Sequence, residues 1–560
     1  MTAFVGPPAE TEPGIGALTM GGLLEETAAR HAEREAIAFH GEQGVVRLTY
    51  GELLARARVE ARALIGGGVA KGTGVALLMG NRPDWVITAF AVALAGGVLV
   101  PLNTYLEAPE LEFVLRHSDA SVLLMQRRLA GHAYLEDLTG LCPELGQAAP
   151  GRIRSARLPS LRRVACLGID REEGAVEPWT ALGDALYVDD DHLDACAAQV
   201  SPADDAVVIY TSGTTATPKG ILHGHRAAAL QSWRFAQQLR LDQQVRTWSA
   251  FPFFWTAGFC MVMGATLAAG GCLVLQEVFE PGDALRLIEA ERVTAAHAWP
   301  HQLARLEDHP DWDVRDLSSL RQVEAFTSLG RHKTVRVDDV WSPRSAYGLS
   351  ETFTIVSSVP ADTPRAQREG HQGRILPGNS VRILDPVTGE ALPSGRDGEI
   401  AVKGPTLMKG YLKTPPEEYL DQDGFFRTGD AGFVDERGLL HWTGRTSELI
   451  KTGGANVSPV EIEEALLRHP GLKAALAVGV SDPLLGQVVV VCAVAHDAAN
   501  VDEEDVRGFL RGRIASYKIP RRVLFFEEAE LSLTANAKVR GEPLRALAAG
   551  RLASEARTGG

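Results

Sequence analysis

Cysteine is scarce in this chain. None of its six, Cys142, Cys166, Cys196, Cys260, Cys272 and Cys492, falls in a C-x-x-C pair or at zinc-ligand spacing. That excludes a disulfide scaffold and a zinc module and predicts a reduced, cytoplasmic protein. An excess of basic residues is also missing: 56 Lys and Arg against 71 Asp and Glu leave a net charge of −15. This disfavours a general nucleic-acid or anionic-membrane surface, so an anionic small molecule would need a local basic site. The N-terminus lacks a basic region followed by an apolar run, and no secretory signal is read there. Uninterrupted membrane-length apolar runs are absent too. The two candidates, 86–102 and 257–275, are broken by Gly96-Gly97 and Gly270-Gly271. Each reads as a buried helix, a glycine cap and a buried strand rather than a membrane span.

What is present is an α/β pattern. The sequence Ala-Gly-Gly-x-Leu-Val occurs at 95–100 and again at 269–274, which predicts two similarly wound α/β subdomains. A helix at 23–31, a strand pair at 36–39 and 45–48, a capping box from Thr49 to Glu52, a helix at 53–64 and a strand at 74–79 follow in order. Helices alternating with buried strands predict doubly wound, mostly parallel sheets. Residues 127–200 are rich in charge, Gly and Pro; their acidic run Asp189-Asp190-Asp191 reads as a solvated loop, and no chemistry is assigned to it. The predicted organisation is a disordered tail over 1–18, a large domain over 19–445, a small α+β domain over 446–550 and a second tail over 551–560.

The segment most suited to an anion is 210–220. Five of the seven residues Thr211, Ser212, Gly213, Thr214, Thr215, Ala216 and Thr217 carry a hydroxyl, a buried-strand pattern precedes them, and Lys219 adds charge. A Walker P-loop fails here, because Pro218 precedes the lysine and Gly220 follows it. By composition alone a Ser/Thr-rich turn explains the stretch equally well. His223 and His225 lack a third metal ligand and read as a helix entry. Phe254, Trp255, Phe259, Met261 and Trp299 suggest an apolar pocket, with core packing as the plainer reading. Tyr347-Gly348-Leu349-Ser350-Glu351-Thr352 places one carboxylate after a glycine turn; with a phosphate loop it would suit Mg²⁺ on ATP.

Further along, Thr428-Gly429-Asp430 and Gly444-Arg445-Thr446-Ser447 lead into Lys451-Thr452-Gly453-Gly454. Ser458 as N-cap, Pro459 and Glu461 then open a helix that stops at His469-Pro470-Gly471. The basic residues Arg511, Arg513, Lys518, Arg521 and Arg522 could meet the phosphates of a ligand, but a solvated basic face is the plainer reading. Ala537-Lys538-Val539-Arg540 lies near the end.

In this order, from about residue 18 to 540, the segments resemble the acyl-adenylate-forming enzymes, which include acyl-CoA synthetases, luciferases and peptide-synthetase adenylation domains. The resemblance implies that an acid attacks the α-phosphate of ATP and the acyl-adenylate passes to CoA. It assigns Thr211, Ser212, Gly213, Thr214, Thr215, Lys219, Tyr347, Gly348 and Thr352 to ATP, Glu351 to Mg²⁺, Asp430 to the ribose and Arg445 to the nucleotide. Ser447 would be the hinge pivot, Gly453 and Gly454 would approach the thiol, and Lys538 would be the catalytic lysine. Phe254, Trp255 and Trp299 would border the acyl pocket of a fatty or bulky apolar acid. The chain departs from the family pattern at Ala216 and Ala537, where glycine is usual, at Trp255, where histidine is usual, and at Ser532, where proline is common. A ligase loading a separate carrier protein, a luciferase-like oxygenase and a non-catalytic nucleotide-binding regulator remain alternatives, and a homodimer is compatible with the sequence.

Overall fold

Each of the two Ala-Gly-Gly echoes leads into a strand of a different sheet. Gly96 and Gly270 both adopt φ +76, the left-handed conformation that ends a helix cheaply only at glycine. Val98–Pro101 then enters an eight-stranded sheet, parallel to Gly74–Leu78 and next to Asp205–Thr211. Cys272–Leu275 enters a five-stranded sheet between Arg246–Ser249 and Glu35–Gly41, parallel to both. The helix Pro83–Leu94 is apolar on all sides and buried along its length, as a helix packed among other elements must be. The capping box forms as read: Thr49 accepts from Glu52 N, and Glu52 accepts from Thr49 N.

The computed structural model describes the chain except residues 1–2, 13–15, 43, 185–187, 212–217, 326, 339, 344, 369, 386–387, 446–449, 458, 467–468, 497–500, 528–529, 532–541 and 559–560. The N-cap expected at Ser458 lies outside the described residues.

Both predicted tails are corrected. Phe4–Val5 pairs antiparallel with Ser380–Leu384 at the edge of a second five-stranded sheet. Glu12 then accepts from Arg234 Nε at 2.9 Å and from Nη2 at 2.7 Å, with the arginine side chain only 2% exposed. Removing Glu12 would leave that guanidinium buried without its carboxylate. Glu12→Ala is therefore expected to cost about 3 kcal/mol of stability, read as a lower denaturation midpoint. An unchanged midpoint would mean that the segment is not held by this pair. At the other end, Glu542–Thr558 is a helix that buries Leu544 and Ala548 against the strands Leu472–Asp482 and Gly486–Ala495.

Two more expectations change. The acidic run is a helix start rather than a solvated loop: Asp189 caps Asp190–Ala198, and Asp190 bonds Arg58 at 3.2 Å and Arg62 at 2.5 Å. The run 257–275 begins with a π-helix, Ala257–Gly264, and only then continues as α-helix over Ala265–Ala268. Such widened turns often sit beside functional sites, and residue pattern does not announce them.

The small domain is a sheet of Ala455–Val457, Ile450–Thr452, Gly486–Ala495 and Leu472–Asp482, with Arg522–Phe525 added parallel to Gly486–Ala495. Pro459–Leu466 and Glu503–Leu510 cover one face through Ile462, Leu466, Val506 and Leu510, and the terminal helix covers the other. The basic residues do not form one solvated face. Lys518 is buried, Arg511 pairs with Glu504, and Arg522 pairs with Glu503 and Glu555.

Candidate functional site

The Ser/Thr-rich stretch lies in sequence between two paired strands. Asp205–Thr211 and Lys219–Gly224 pair antiparallel with Lys219 opposite Thr211, so the residues that flank the stretch stand side by side. Ser212, Gly213, Thr214, Thr215 and Ala216 lie outside the described residues. Their two anchors are fixed by the register. Gly410–Tyr411 adds the next strand, opposite Ile221 and Leu222. Lys219 Nζ sits over the Tyr411 ring, 4.8 Å from its centroid, and the Tyr411 hydroxyl donates to Glu351 Oε1 at 2.7 Å. Lys219 and Glu351, 132 positions apart by number, thus share one aromatic support. Tyr411 carries no motif around it, and the sequence reading missed it.

Glu351 stands on the short 3₁₀ turn Ser350–Thr352, reached from the strand Ala346–Leu349. The turn is clamped from behind. His223 Nε2 lies 2.8 Å from Ser350 O, and burial pushes the imidazole down to about 3, so it donates as a neutral ring. Met408 N donates to Glu351 O at 2.7 Å. Gly348 is required by packing, because a Cβ there would fall 1.6 Å from Thr354 O. The Thr352 hydroxyl bonds within its own turn: it accepts from Leu349 N at 3.1 Å and lies 2.6 Å from Thr354 O. It shapes the turn that carries Glu351. His225, like His223, is buried, and its Nδ1 accepts from Met20 N at 3.3 Å; His225 opens the helix His225–Gln238 as read, whereas His223 lies on the strand Lys219–Gly224 before it.

On the strand that leads to Glu351, the Tyr347 hydroxyl donates to Asp430 Oδ2 at 3.0 Å, with both residues 5% exposed. Asp430 is in turn the cross-strand partner of Arg445 in the pairing of Phe426–Val434 with Leu440–Arg445. Register thus sets Asp430 opposite Arg445, and the hydrogen bond from Tyr347, on a strand of a different sheet, joins the third residue to them although the three span almost a hundred positions.

Beside these groups lies a cavity of ≈ 160 Å³ walled by Thr211, Pro218, Phe254, Trp255, Trp299 and Ser350. Trp299 stacks on Phe251 with ring centroids 4.1 Å apart, and Phe254 meets Trp255 edge-on at 5.1 Å. The small domain closes the same cavity with Gly454, whose φ is +82 and whose Cβ, if it had one, would fall 2.3 Å from the Trp299 ring. A second cavity, ≈ 230 Å³, lies between the domains behind Trp255 and Trp299 and is lined by Thr452, Gly453, Tyr517 and Arg521. Tyr517 was also missed; it reaches Asn103 of the large domain at 3.3 Å. Ser447 and Lys538 lie outside the described residues, as do Ala537 and Ser532.

The family model for AMP-binding enzymes matches residues 24–412, and that for the AMP-binding enzyme C-terminal domain matches 461–538. The chain belongs to the AMP-binding enzymes. Its relatives in this family include acid–thiol ligases. Feruloyl-CoA synthase of an Amycolatopsis species is 33% identical, over 92% of this chain and 97% of that protein. The mitochondrial medium-chain acyl-CoA ligase ACSF2 of Pongo abelii is 30% identical, over 94% of this chain and 87% of that protein. The solved amide bond synthetase McbA from Marinactinospora thermotolerans is 27% identical with a TM-score of 0.73, covering 94% of this chain and 99% of that one. This AMP-binding enzyme is thus an α/β ligase of the acyl-CoA synthetase group, with a large domain followed by a small one. Among the described residues no helix is long and apolar enough to cross a membrane.

Proposed function

We propose that this protein uses ATP to activate a fatty or bulky apolar carboxylic acid as its acyl-adenylate, releasing pyrophosphate, and then transfers the acyl group to CoA, releasing AMP. The observation that carries the reading is convergence. The anchors of the hydroxyl-rich loop, the Glu351 turn and an aromatic-walled cavity meet at one place, and the small domain covers it. Carboxylate and ATP are both anionic, so their reaction needs cationic groups where charge builds up and a fixed in-line geometry. Lys219 and the loop 212–217 would hold the β- and γ-phosphates, Asp430 and Arg445 the nucleoside, and Lys538 the α-phosphoryl oxygens in transit.

The donor set around Glu351 fits Mg²⁺. One oxygen is oriented by Tyr411, and no group of three or more His, Cys, Asp or Glu stands nearby among the described residues. That suits a cation held by a single carboxylate together with phosphate and water. Bound there by Glu351, Mg²⁺ would supply charge neutralisation to the phosphates. The second cavity, with Gly453, Tyr517 and Arg521 on its walls, would admit the thiol arm of CoA.

ATP-dependent pyrophosphate release, measured across short, long-chain and aromatic acids with and without CoA, tests the proposal. Apolar acids should exceed acetate, and acyl-CoA should form only with CoA present. Acetate as the best substrate would overturn the pocket assignment, and thioester formation only on a carrier protein would overturn the acceptor. Within this scheme Asp430→Asn keeps the bond from Tyr347 but loses the anionic acceptor. It is expected to raise KM for ATP about tenfold with a smaller change in kcat, as removal of a binding interaction does.

A further inference from the structure

A buried charge cluster spans the two domains at the margin of the first cavity, which Lys518 also lines. Lys518 Nζ, in the small domain, lies 2.8 Å from Glu110 Oε1 and 2.6 Å from Glu461 Oε1. The lysine side chain is 3% exposed and each carboxylate 9%. Glu461 is on Pro459–Leu466 of the small domain, whereas Glu110 is on Ala108–His117 of the large one. Burial works against a charged Lys518, but Tyr517 and the two carboxylates outweigh it and hold the ammonium above the usual lysine value. Burial also raises Glu461, against the pull of Lys518.

The three groups are not equivalent when the domains move. Lys518 and Glu461 travel together and stay paired in any arrangement, while the contact with Glu110 exists only when the small domain is seated as it is here, with Gly454 against Trp299. A buried charge that loses its partner is strongly destabilised, so such a contact defines a register sharply even where its net contribution to stability is small. We propose that Glu110 is a positioning residue for the second half-reaction: by closing on the Lys518–Glu461 pair it seats the small domain so that Gly453 and Gly454 complete the thiol channel. This inference rests on the acid:CoA ligase reading above.

Glu110 also accepts from Glu107 N at 3.2 Å as part of its helix cap, so the tests must separate charge from capping. Glu110→Gln keeps a cap acceptor and removes only the charge. Glu110→Lys opposes Lys518 directly. The double variant Glu110→Lys/Lys518→Glu restores one lysine and two glutamates to the seated cluster. Two half-reactions are measured: pyrophosphate release without CoA, and thioester formation from a supplied acyl-adenylate. Glu110→Lys should slow the second at least about tenfold and leave the first within about twofold; Glu110→Gln should show the same split more weakly; and the double variant should recover most of the second rate.

Equal loss of both half-reactions, or no recovery in the double variant, would overturn the proposal. A readout free of substrate separates its failure from failure of the ligase reading. With Cys196 replaced by serine, spin labels on cysteines placed at Arg116 and Glu504, both exposed, report the interdomain distance. Glu110→Lys should broaden that distribution and the double variant should narrow it again, whatever the substrate. An unaltered distribution in Glu110→Lys would overturn the seating role.

Discussion

Lys538→Ala is expected to reduce acyl-adenylate formation by roughly a thousandfold while leaving conversion of a supplied acyl-adenylate to thioester within about threefold, since one preorganised donor at developing charge is worth about that much. The asymmetry follows from the chemistry. In the first half-reaction negative charge accumulates on the α-phosphoryl oxygens as the carboxylate attacks, and a lysine there lowers the barrier directly. In the second, a thiol attacks the acyl carbonyl and AMP leaves, so a cation on the α-phosphate gives little. In sequence Lys538 lies between the small-domain strand Arg522–Phe525 and the terminal helix Glu542–Thr558, and the family model for that domain extends to it, which supports the proposal that it is carried by the small domain. Rapid-quench measurement of the two half-reactions separately is the check. Equal loss in both would mean that Lys538 supports the fold of the small domain rather than the transfer to phosphate.

Local pattern and long-range register contributed differently to what could be read in advance. The paired Ala-Gly-Gly segments and the Thr49 box were legible because each is a few contiguous residues whose backbone requirement is fixed by chemistry: a left-handed glycine, or a hydroxyl and a carboxylate three positions apart. The anchors Thr211 and Lys219 were legible for the same reason, as was the Glu351 turn. The terminal segments were not. Phe4–Val5 is too short to show a period, and its partner strand is far along the chain; the Glu12–Arg234 pair spans 222 positions. The helix Glu542–Thr558 is rich in alanine and offers little contrast between its faces. Tyr411 and Tyr517 escaped because a single aromatic residue without a motif looks like core until register shows what it supports. At Thr352 the motif did not announce a local role: its hydroxyl also bonds within its own turn.

Gly454→Leu should produce the complementary loss, a fall of roughly a hundredfold in thioester formation with acyl-adenylate formation within about threefold, because an L side chain at positive φ is strained and this one also collides. At Gly454 the first added carbon would fall 2.3 Å from the Trp299 ring, well inside contact distance. The indole cannot step back, since it stacks on Phe251 at 4.1 Å and forms a wall of both interdomain cavities. The small domain must therefore lift away, which opens the channel proposed for the thiol and breaks the seat at Glu110, but leaves the Lys219–Tyr411–Glu351 cluster untouched. The two contributions can be divided by combining the substitution with Trp299→Ala. That change removes the collision and keeps the strain at φ +82, so the double variant should regain part of the thioester rate and not all of it. If Gly454→Leu slowed both half-reactions alike, the glycine would be serving the hairpin's own folding, and the docking of Gly454 on Trp299 would not be what assembles the second active arrangement.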